Sequence, residues 1–263
     1  MKIDLNEKQI ERPSDMLLFT LRDQEKPQAD LCVLNGMVQD ENVLLKEGDQ
    51  IHFIVRGEIP SKEELAGLMA ARHTPGVHKK MEQACVGIAG LGGLGSAVAV
   101  ALARIGVGKL ILVDFDVVEP SNLNRQQFFV DQIGQFKTEA LLENLQRINP
   151  YVQYEIHTLR LTPENSAQIF KNVDVLVEAF DRADQKAMLL EAVQKTTIVG
   201  ASGVAGYEPA TSIHIRKMGP RIYLVGDFET AAAPGCGLMA PRVGIAAHIQ
   251  ANLVLRLLLD LKK

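Results

Sequence analysis

Four glycines and a serine lie within seven residues of one another, between an apolar run and a segment rich in alanine and valine. Glycines 90, 92 and 95 fit the spacing G-x-G-x-x-G. In such a loop the first glycine permits a tight turn, the second lets a phosphate approach the backbone, and the third lets helix and strand pack closely. Free N–H groups at the start of the following helix attract an anion. The run Gly90-Leu91-Gly92-Gly93-Leu94-Gly95-Ser96 therefore predicts a nucleotide site, without distinguishing NAD from ATP.

An acidic residue ends the second strand-like run of this region. Asp114 lies 19 residues beyond Gly95. From the end of a second Rossmann strand, a carboxylate can accept hydrogen bonds from ribose hydroxyls. An aspartate here can also cap a turn. We expect the ribose role.

A polar segment after Asp114 departs from the pattern of a hydride-transfer enzyme. It contains Asn122 and Arg125, and Lys137 follows just before a predicted helix. An NAD-dependent oxidoreductase needs no cations there, whereas an enzyme that polarises a triphosphate must neutralise charge on the departing phosphates. Either cation taken alone could simply be a solvent-exposed surface charge. Together with the glycine loop, they favour ATP chemistry.

Strands that are apolar on both faces alternate with helices from Ala84 onward, which predicts an α/β domain with a mainly parallel sheet covered on both sides. The last helix, Ala240–Leu261, is so apolar that we expect it to be buried against the sheet or a second subunit. The predicted strands are 85–89, 110–114, 153–159, 173–179 and 196–200, and the predicted helices are 96–105, 138–148, 163–170 and 184–194.

The first 58 residues predict a small α+β unit, with strands at 2–5, 31–34 and 50–55 and an apolar patch of undetermined type at 15–22. Asn35-Gly36 is a turn signal. Residues 59–83 form a predicted helical linker that starts near Ser61, with Glu63 and Glu64 in its first turn.

The composition limits the classes of partner and metal site. The 263 residues are 47% hydrophobic and carry a net charge of −4, which argues against nucleic acid as a main partner. No run approaches the roughly 18 apolar residues of a membrane span, so a cytoplasmic protein without a membrane partner is the default. Cys32, Cys85 and Cys236 form no C-x-x-C pair, so neither a disulfide framework nor a structural zinc site is expected.

Five motifs from Cys85 to Asp181 resemble the ThiF/MoeB family, which is related to the ubiquitin-activating enzymes. They are GLGGLGS, LVDFD, SNLNRQ, GQFK and EAFD, in that order. The resemblance implies a Rossmann-like, doubly wound fold and a homodimer that binds ATP and Mg²⁺. It also implies adenylation of the C-terminal glycine carboxylate of a small β-grasp sulfur-carrier protein.

The resemblance also implies roles for individual residues. Asp181 would bind Mg²⁺, while Glu178 could face the other side of the sheet. The family uses an N-terminal arginine from the partner subunit, for which Arg72 is the nearest candidate. Gly90, Gly92, Gly93 and Gly95 would line the nucleotide, Asp114 and Asn122 the ribose, and Arg125 and Lys137 the phosphates.

The N-terminal unit resembles the ThiS sulfur carrier, a β-grasp fold. A true carrier ends in a free Gly-Gly carboxylate, whereas this chain continues through Gly57 and Glu58. This copy therefore cannot itself be adenylated, and it regulates, docks a partner, shields a surface or is purely structural. The predicted domains are 1–58 (ThiS-like β-grasp), 59–83 (helical linker) and 84–263 (nucleotide-binding adenylyltransferase).

Four functions remain open from the sequence. The leading one is a sulfur-carrier adenylyltransferase, with thiamine synthesis favoured by the fused ThiS-like unit. The others are an NAD-dependent oxidoreductase, an ATP-dependent tRNA-modifying dehydratase and a non-catalytic scaffold. Some relatives capture the activated carrier on a cysteine. Cys236 could do so from its small-residue loop, or it could simply be packed there.

Overall fold

The computed structural model describes residues 1–261. The chain divides into two compact units, one spanning Met1–Pro75 and the other starting at Gly76. The two units are described separately below. The predicted boundaries at 58/59 and 83/84 stay predictions.

The first unit is a five-stranded mixed sheet with one helix, in the strand order β2-β1-β5-β3-β4. Parallel β1 and β5 lie at its centre and a hairpin flanks each side, which is the β-grasp arrangement. Helix α1 supplies Leu18 and Leu21 to a core with Ile3 and Ile51. The elements are β1 Lys2–Leu5, β2 Lys8–Glu11, α1 Leu18–Glu25, β3 Leu31–Leu34, β4 Met37–Val38 and β5 Gln50–Ile54.

Strand β2 was not predicted from the sequence. Its residues are mostly exposed, so they show no apolar alternation. Its hairpin turns through Asn6 and Glu7, both with positive φ (47° and 65°), as a two-residue type I′ turn requires. Glutamate at such a position gives no turn signal.

The predicted helical linker consists of two helices, α2 Lys62–His73 and α3 Pro75–Glu82. Ser61 caps α2 as expected, since its hydroxyl accepts a hydrogen bond from the backbone N–H of Glu64 at 3.1 Å. Thr74, with φ of 67°, separates the helices.

The second unit is a seven-stranded sheet in the order β11-β12-β10-β9-β6-β7-β8. All neighbours are parallel except the edge strand β11. The strands are β6 Cys85–Ala89, β7 Lys109–Asp114, β8 Gln153–Thr158, β9 Val175–Glu178, β10 Thr197–Ala201, β11 His214–Lys217 and β12 Ile222–Gly226. The helices are α4 Gly93–Arg104, α5 Lys137–Ile148, α6 Pro163–Ile169, α7 Ala183–Ala192 and α8 Ala240–Leu261. The predicted Rossmann-like, mainly parallel fold is confirmed.

The chain order reverses between β6 and β9, which makes the crevice at their carboxyl ends the expected ligand site. Strands β11 and β12 were missed. Strand β11 is exposed along its length, so burial imposes no apolar pattern on it.

Helix α4 begins at Gly93 and not at the predicted Ser96. Gly93 and Gly95 therefore lie in its first turn, and packing explains the second of them. A Cβ on Gly95 would lie 1.8 Å from the carbonyl oxygen of Gly90. Only glycine lets the helix approach the strand this closely.

Replacing Gly95 by alanine should therefore destabilise the protein by roughly 3 kcal/mol, because the backbone of Gly90 must move. Gly244→Ala is the matched control, since a Cβ there meets nothing within 4 Å and alanine is the better helix former by about 1 kcal/mol. Thermal unfolding should show Tm falling for the first variant and rising for the second. Equal Tm values would contradict this account of the loop.

Helix α8 corrects the expectation that no segment has the composition of a membrane span. Residues Ala240–Asp260 have a mean hydropathy of 1.3 and are long enough to cross a bilayer. In this fold α8 packs on α4 and on the sheet. Its buried positions include Val243, Ala247, Val254 and Leu258. About 44% of this apolar window is buried, and its buried face packs against the sheet as predicted for this helix.

Candidate functional site

A cavity of about 760 Å³ lies at the carboxyl ends of the central strands of the second unit. It includes the crevice where doubly wound sheets bind ligands. The predicted site residues that line it are Gly90, Gly92, Gly93, Asp114, Asn122, Arg125, Lys137 and Asp181. These residues come from five separate segments, and the fold brings them together.

The glycine loop forms the floor of this cavity. Gly90 adopts φ of 91°, and its N–H donates to the carbonyl of Val113 at 2.9 Å. Gly92 and Gly93 line the cavity at the start of α4, whereas Gly95 does not and is packed against Gly90. The start of α4 therefore meets the cavity through Gly92, Gly93 and Leu94.

Asp114 ties the glycine loop to the end of β7. Its carboxylate accepts hydrogen bonds from the N–H of Leu91 at 2.6 Å and of Asp116 at 2.8 Å. The turn-capping role is thus present. Each carboxylate oxygen can accept a second hydrogen bond, so a ribose role stays a prediction that is compatible with this geometry.

Lys137 is the first residue of α5, and its side chain is only 8% exposed. Its Nζ lies 3.0 Å from Oδ2 of Asp116, a half-exposed carboxylate. A cation at a helix N-terminus opposes the helix dipole, so helix stability does not explain this residue. Its position at the cavity wall does suit a phosphate ligand.

Arg125 lies half-buried at the cavity and has no carboxylate within 4 Å in the described part of the chain. Its Nη1 donates to Oδ1 of Asn124 at 2.8 Å and to the carbonyl of Ser121 at 3.2 Å. Asn122 is buried, and its Oδ1 accepts the N–H of Glu119 at 3.1 Å. Asn122 therefore holds the turn that presents Arg125, and no carboxylate among the described residues pairs with the Arg125 guanidinium.

Two acidic residues, Glu178 and Asp181, lie at the carboxyl end of β9, and the structure gives them different surroundings. Glu178 is 2% exposed, pairs with Lys186 at 2.9 Å and accepts the N–H of Phe180 at 2.7 Å. Burial raises the pKa of Glu178, and the nearby Lys186 ammonium opposes this. Asp181 is exposed to the cavity and makes no hydrogen bond or ion pair with any residue that the structure describes. Asp181 is thus the acidic side chain free for a ligand.

A magnesium ion would fit this arrangement only together with a phosphate ligand. Among residues 1–261 no group of three or more His, Cys, Asp or Glu side chains could hold a metal by itself. Mg²⁺ usually keeps several waters and binds through one or two carboxylates plus substrate phosphates. Asp181 can supply that carboxylate.

The side of the cavity near β7 and β8 carries a cation–π contact. The Arg160 guanidinium lies 4.3 Å from the centroid of the Phe115 ring, and both residues line the cavity with Leu159 and Leu161. This side therefore combines an aromatic ring and two leucines with one cation.

A further wall of the cavity was not predicted from the sequence. It consists of residues 202–205 and 230–232. A buried ion pair orders this wall, with Nη2 of Arg242 2.6 Å from Oδ2 of Asp227. Asp227 also accepts the N–H groups of Glu229 and Thr230, each at 2.9 Å. A Cβ on Gly203 would lie 2.0 Å from Asp227 Oδ1. The only sequence signal for this wall was the pair of glycines at 203 and 206.

Comparison with known proteins decides the family. The ThiF family model matches residues 66–263, and a ThiS-like ubiquitin model matches residues 1–57. The chain belongs to the ThiF family. Its N-terminal unit is a ThiS-like, ubiquitin-like domain, as the sequence resemblance implied.

Two curated relatives and one solved structure are similar to this ThiF chain. It is 31% identical over 172 residues to the tRNA threonylcarbamoyladenosine dehydratase of Haemophilus influenzae, covering 64% of this chain and 66% of that one. It is 27% identical over 240 residues to the adenylyltransferase and sulfurtransferase UBA4 of Candida glabrata, covering 88% and 55%. The chain thus spans between about half and two thirds of the length of these curated relatives. The Escherichia coli tRNA N6-threonylcarbamoyladenosine dehydratase in complex with ATP shares the fold, with a TM-score of 0.70, 24% identity and coverage of 78% and 98%.

Two residues proposed for ThiF-type roles lie outside the cavity lining. Arg72 belongs to the first unit, where its 78% exposed side chain lies 3.2 Å from Glu7 Oε1. Cys236 is half-buried, and its Sγ lies 3.0 Å from the position of a Cβ on Gly206. The trans-arginine role and the carrier-capturing role stay predictions.

Proposed function

We propose that this ThiF protein uses ATP to adenylate the C-terminal glycine carboxylate of a small β-grasp sulfur-carrier protein. The observation that carries the proposal is the cavity itself, where Arg125 and Lys137 meet the free carboxylate of Asp181 and the start of α4. Cations and helix N–H groups suit a triphosphate, and the free carboxylate suits its metal ion.

In the proposed reaction a carrier carboxylate oxygen attacks the α-phosphorus of ATP. The new bond joins this oxygen to the α-phosphorus, the bond from the α-phosphorus to the bridging oxygen breaks, and pyrophosphate leaves with that electron pair. The products are an acyl-adenylate and pyrophosphate. The carboxylate is already a nucleophile, so no general base is needed, and catalysis consists of positioning and charge neutralisation.

Individual residues follow from this scheme. The N–H groups of Gly92 and Gly93 would face a phosphate, Arg125 and Lys137 would neutralise charge on the leaving pyrophosphate, and Asp181 would hold Mg²⁺. Bound Mg²⁺ supplies further neutralisation of phosphate charge. Asp114 would hold the ribose, with Asn122 nearby.

The names of the relatives support the nucleotide and the carrier. The Escherichia coli dehydratase was solved with ATP and with AMP, and UBA4 is named an adenylyltransferase and sulfurtransferase. The ThiS-like unit favours thiamine synthesis as the context. We further propose a cytoplasmic homodimer in which Arg72 reaches the partner's nucleotide.

A tRNA-modifying dehydratase is the second candidate, because the relative from Haemophilus influenzae bears that name at 31% identity. A net charge of −4 gives this chain no excess of cations for a polynucleotide. An NAD-dependent oxidoreductase would leave Arg125 and Lys137 without a purpose.

ATP–pyrophosphate exchange distinguishes these candidates. The protein is assayed with a panel of carriers ending in Gly-Gly, with the same carriers lacking those glycines, and with tRNA carrying threonylcarbamoyladenosine. Exchange that needs the intact Gly-Gly end supports the proposal. ATP turnover stimulated by the tRNA alone would support the dehydratase, and tight NADH binding without exchange would overturn both.

A further inference from the structure

Lys186 is a cation at the cavity wall whose hydrogen-bond donors are all in use. Its Nζ lies 2.9 Å from Oε1 and 3.0 Å from Oε2 of Glu178, and it donates to the carbonyl of Ala201 at 3.1 Å. A lysine ammonium has three N–H donors, so these contacts leave none for a ligand. Lys186 lines the same cavity as Lys137, but a direct contact from Lys186 to a phosphate would require one of these bonds to break.

Glu178 is buried at the end of β9 and connects three segments around the cavity. Its Oε1 accepts the N–H of Phe180 at 2.7 Å, and Lys186 links it to the carbonyl of Ala201, the last residue of β10. A Cβ on Gly200 would lie 2.8 Å from Glu178 Oε2, so a side chain there would displace the carboxylate. The pair therefore joins the turn after β9, helix α7 and the end of β10.

The segment that leads to Asp181 is held on its other side by the glycine loop. The N–H of Ala179 donates to the carbonyl of Ala89 at 2.9 Å. The position of a Cβ on Gly90 lies 3.0 Å from the carbonyl oxygen of Ala179. This segment is therefore fixed between the glycine loop and the Glu178 carboxylate. Since Asp181 follows directly, these contacts set the backbone position from which its carboxylate reaches the cavity.

Packing alone does not require a charged pair at this place. Glu178 is only 2% exposed, and apolar residues of similar volume in place of a buried ion pair often leave the stability unchanged or raise it. Charge-assisted hydrogen bonds add geometric specificity, because they are strong in one arrangement of donor and acceptor. The pair thus suits the precise placement of the turn after β9.

We propose that Glu178 and Lys186 form a positioning pair that fixes the direction in which Asp181 presents its carboxylate to Mg²⁺. The inference rests on the proposed function, in which Asp181 holds that ion. Neither Glu178 nor Lys186 touches the nucleotide; both act through the turn that carries Asp181. Replacing residues that orient a metal ligand typically costs roughly 10- to 100-fold in metal affinity.

The test measures ATP binding to the full-length protein by calorimetry, with Mg²⁺ and with a chelator. The ratio of the two Kd values is the magnesium-dependent gain. The double variant Glu178→Leu/Lys186→Met replaces the pair by apolar side chains of similar size, and Glu178→Gln serves in the same comparison if the double variant does not fold. Lys186→Arg keeps the charge and the donors. Asp184→Asn is the control, because it breaks a largely exposed ion pair with Arg182, 2.9 Å in length.

We expect the double variant to lose about tenfold of the magnesium-dependent gain, while its Kd for metal-free ATP and its Tm stay close to those of wild type. Lys186→Arg and Asp184→Asn should keep the gain. Asp181→Asn should also lose the gain. Combining it with the double variant should cause no further loss, because both changes act through one carboxylate.

The outcomes separate this inference from the function on which it rests. A gain of wild-type size in the double variant would overturn the positioning role. Equal losses with and without Mg²⁺ would show that the pair shapes the cavity or that Lys186 contacts phosphate, and losses that add to that of Asp181→Asn would show that the pair acts elsewhere; both results would also overturn it. Wild-type ATP binding that gains nothing from Mg²⁺ would overturn the metal role of Asp181 and this inference, whereas carrier adenylation would still be decided by pyrophosphate exchange.

Discussion

Replacing Lys137 by alanine should lower ATP–pyrophosphate exchange about a hundredfold while the protein stays folded. Removing one group that stabilises developing charge in a water-excluded site raises the barrier by about 3 kcal/mol. The Lys137 side chain is almost fully buried at the cavity wall. A cation from solvent therefore cannot take over its charge in the variant. The carboxylate of its present partner, Asp116, is half-exposed and can be hydrated instead. The free energy of unfolding should therefore fall only slightly.

The matched control is Lys195→Ala, which removes an exposed lysine outside the cavity lining and should leave exchange unchanged. Arg125→Ala should behave like Lys137→Ala, with the exposed Arg147→Ala as its control. Circular dichroism and Tm verify the fold of each variant. Wild-type exchange in both cavity variants would refute the assignment of these cations to the phosphates.

Removing the buried charge of Arg242 should destabilise the second unit by about 3–5 kcal/mol, because Asp227 would be left as an unpaired buried carboxylate. Arg242 is 3% exposed and also donates to the carbonyl of Glu208 at 2.7 Å. Arg242→Met keeps much of the side-chain volume, so the loss reports charge and hydrogen bonds rather than a cavity.

An exposed ion pair of the same length gives the control. Lys109 and Glu155 are also 2.6 Å apart, but both are more than a third exposed, and such pairs contribute at most about 1 kcal/mol. Denaturant unfolding of Arg242→Met and Lys109→Met should therefore differ several-fold in lost free energy. Similar losses would show that burial of the first pair has little energetic effect.

The same pair predicts a dependence of stability on pH. Burial acts to raise the pKa of Asp227, but hydrogen bonds from Thr230, Glu229 and Arg242 outweigh it and lower the pKa to about 2. Because the folded pKa lies below the unfolded value of about 3.9, the stabilisation is full above that value and is lost as pH falls toward 2. It amounts to roughly 2 kcal/mol. The difference in unfolding free energy between wild type and Asp227→Asn should shrink over this range, and a constant difference would contradict it.

The sequence by itself determined the features that local pattern encodes. Strands buried on both faces must be continuous apolar runs, so 85–89 and 110–114 could be located within a residue or two. A G-x-G-x-x-G loop that binds a nucleotide lies between a strand and a helix, and both elements were located around residues 90–95. Parallel strands then place the residues that follow them at one edge of the sheet, which is why Asp114 and Asp181 were expected there and do line one cavity.

Only the tertiary structure decided which polar groups find partners. Glu178 and Asp181 are three residues apart in sequence, yet one is buried against Lys186 and the other faces the cavity, because β9 ends between them. Asp227 and Arg242 meet across a loop that carries no periodic pattern. Gln126 and Gln132 look alike in sequence. Only the packing shows that the amide of Gln132 is fully hydrogen-bonded, whereas the side-chain oxygen of Gln126 is buried without a partner among the described residues. Hydrogen-bond satisfaction depends on neighbours distant in the chain, and a single sequence does not encode those distances locally.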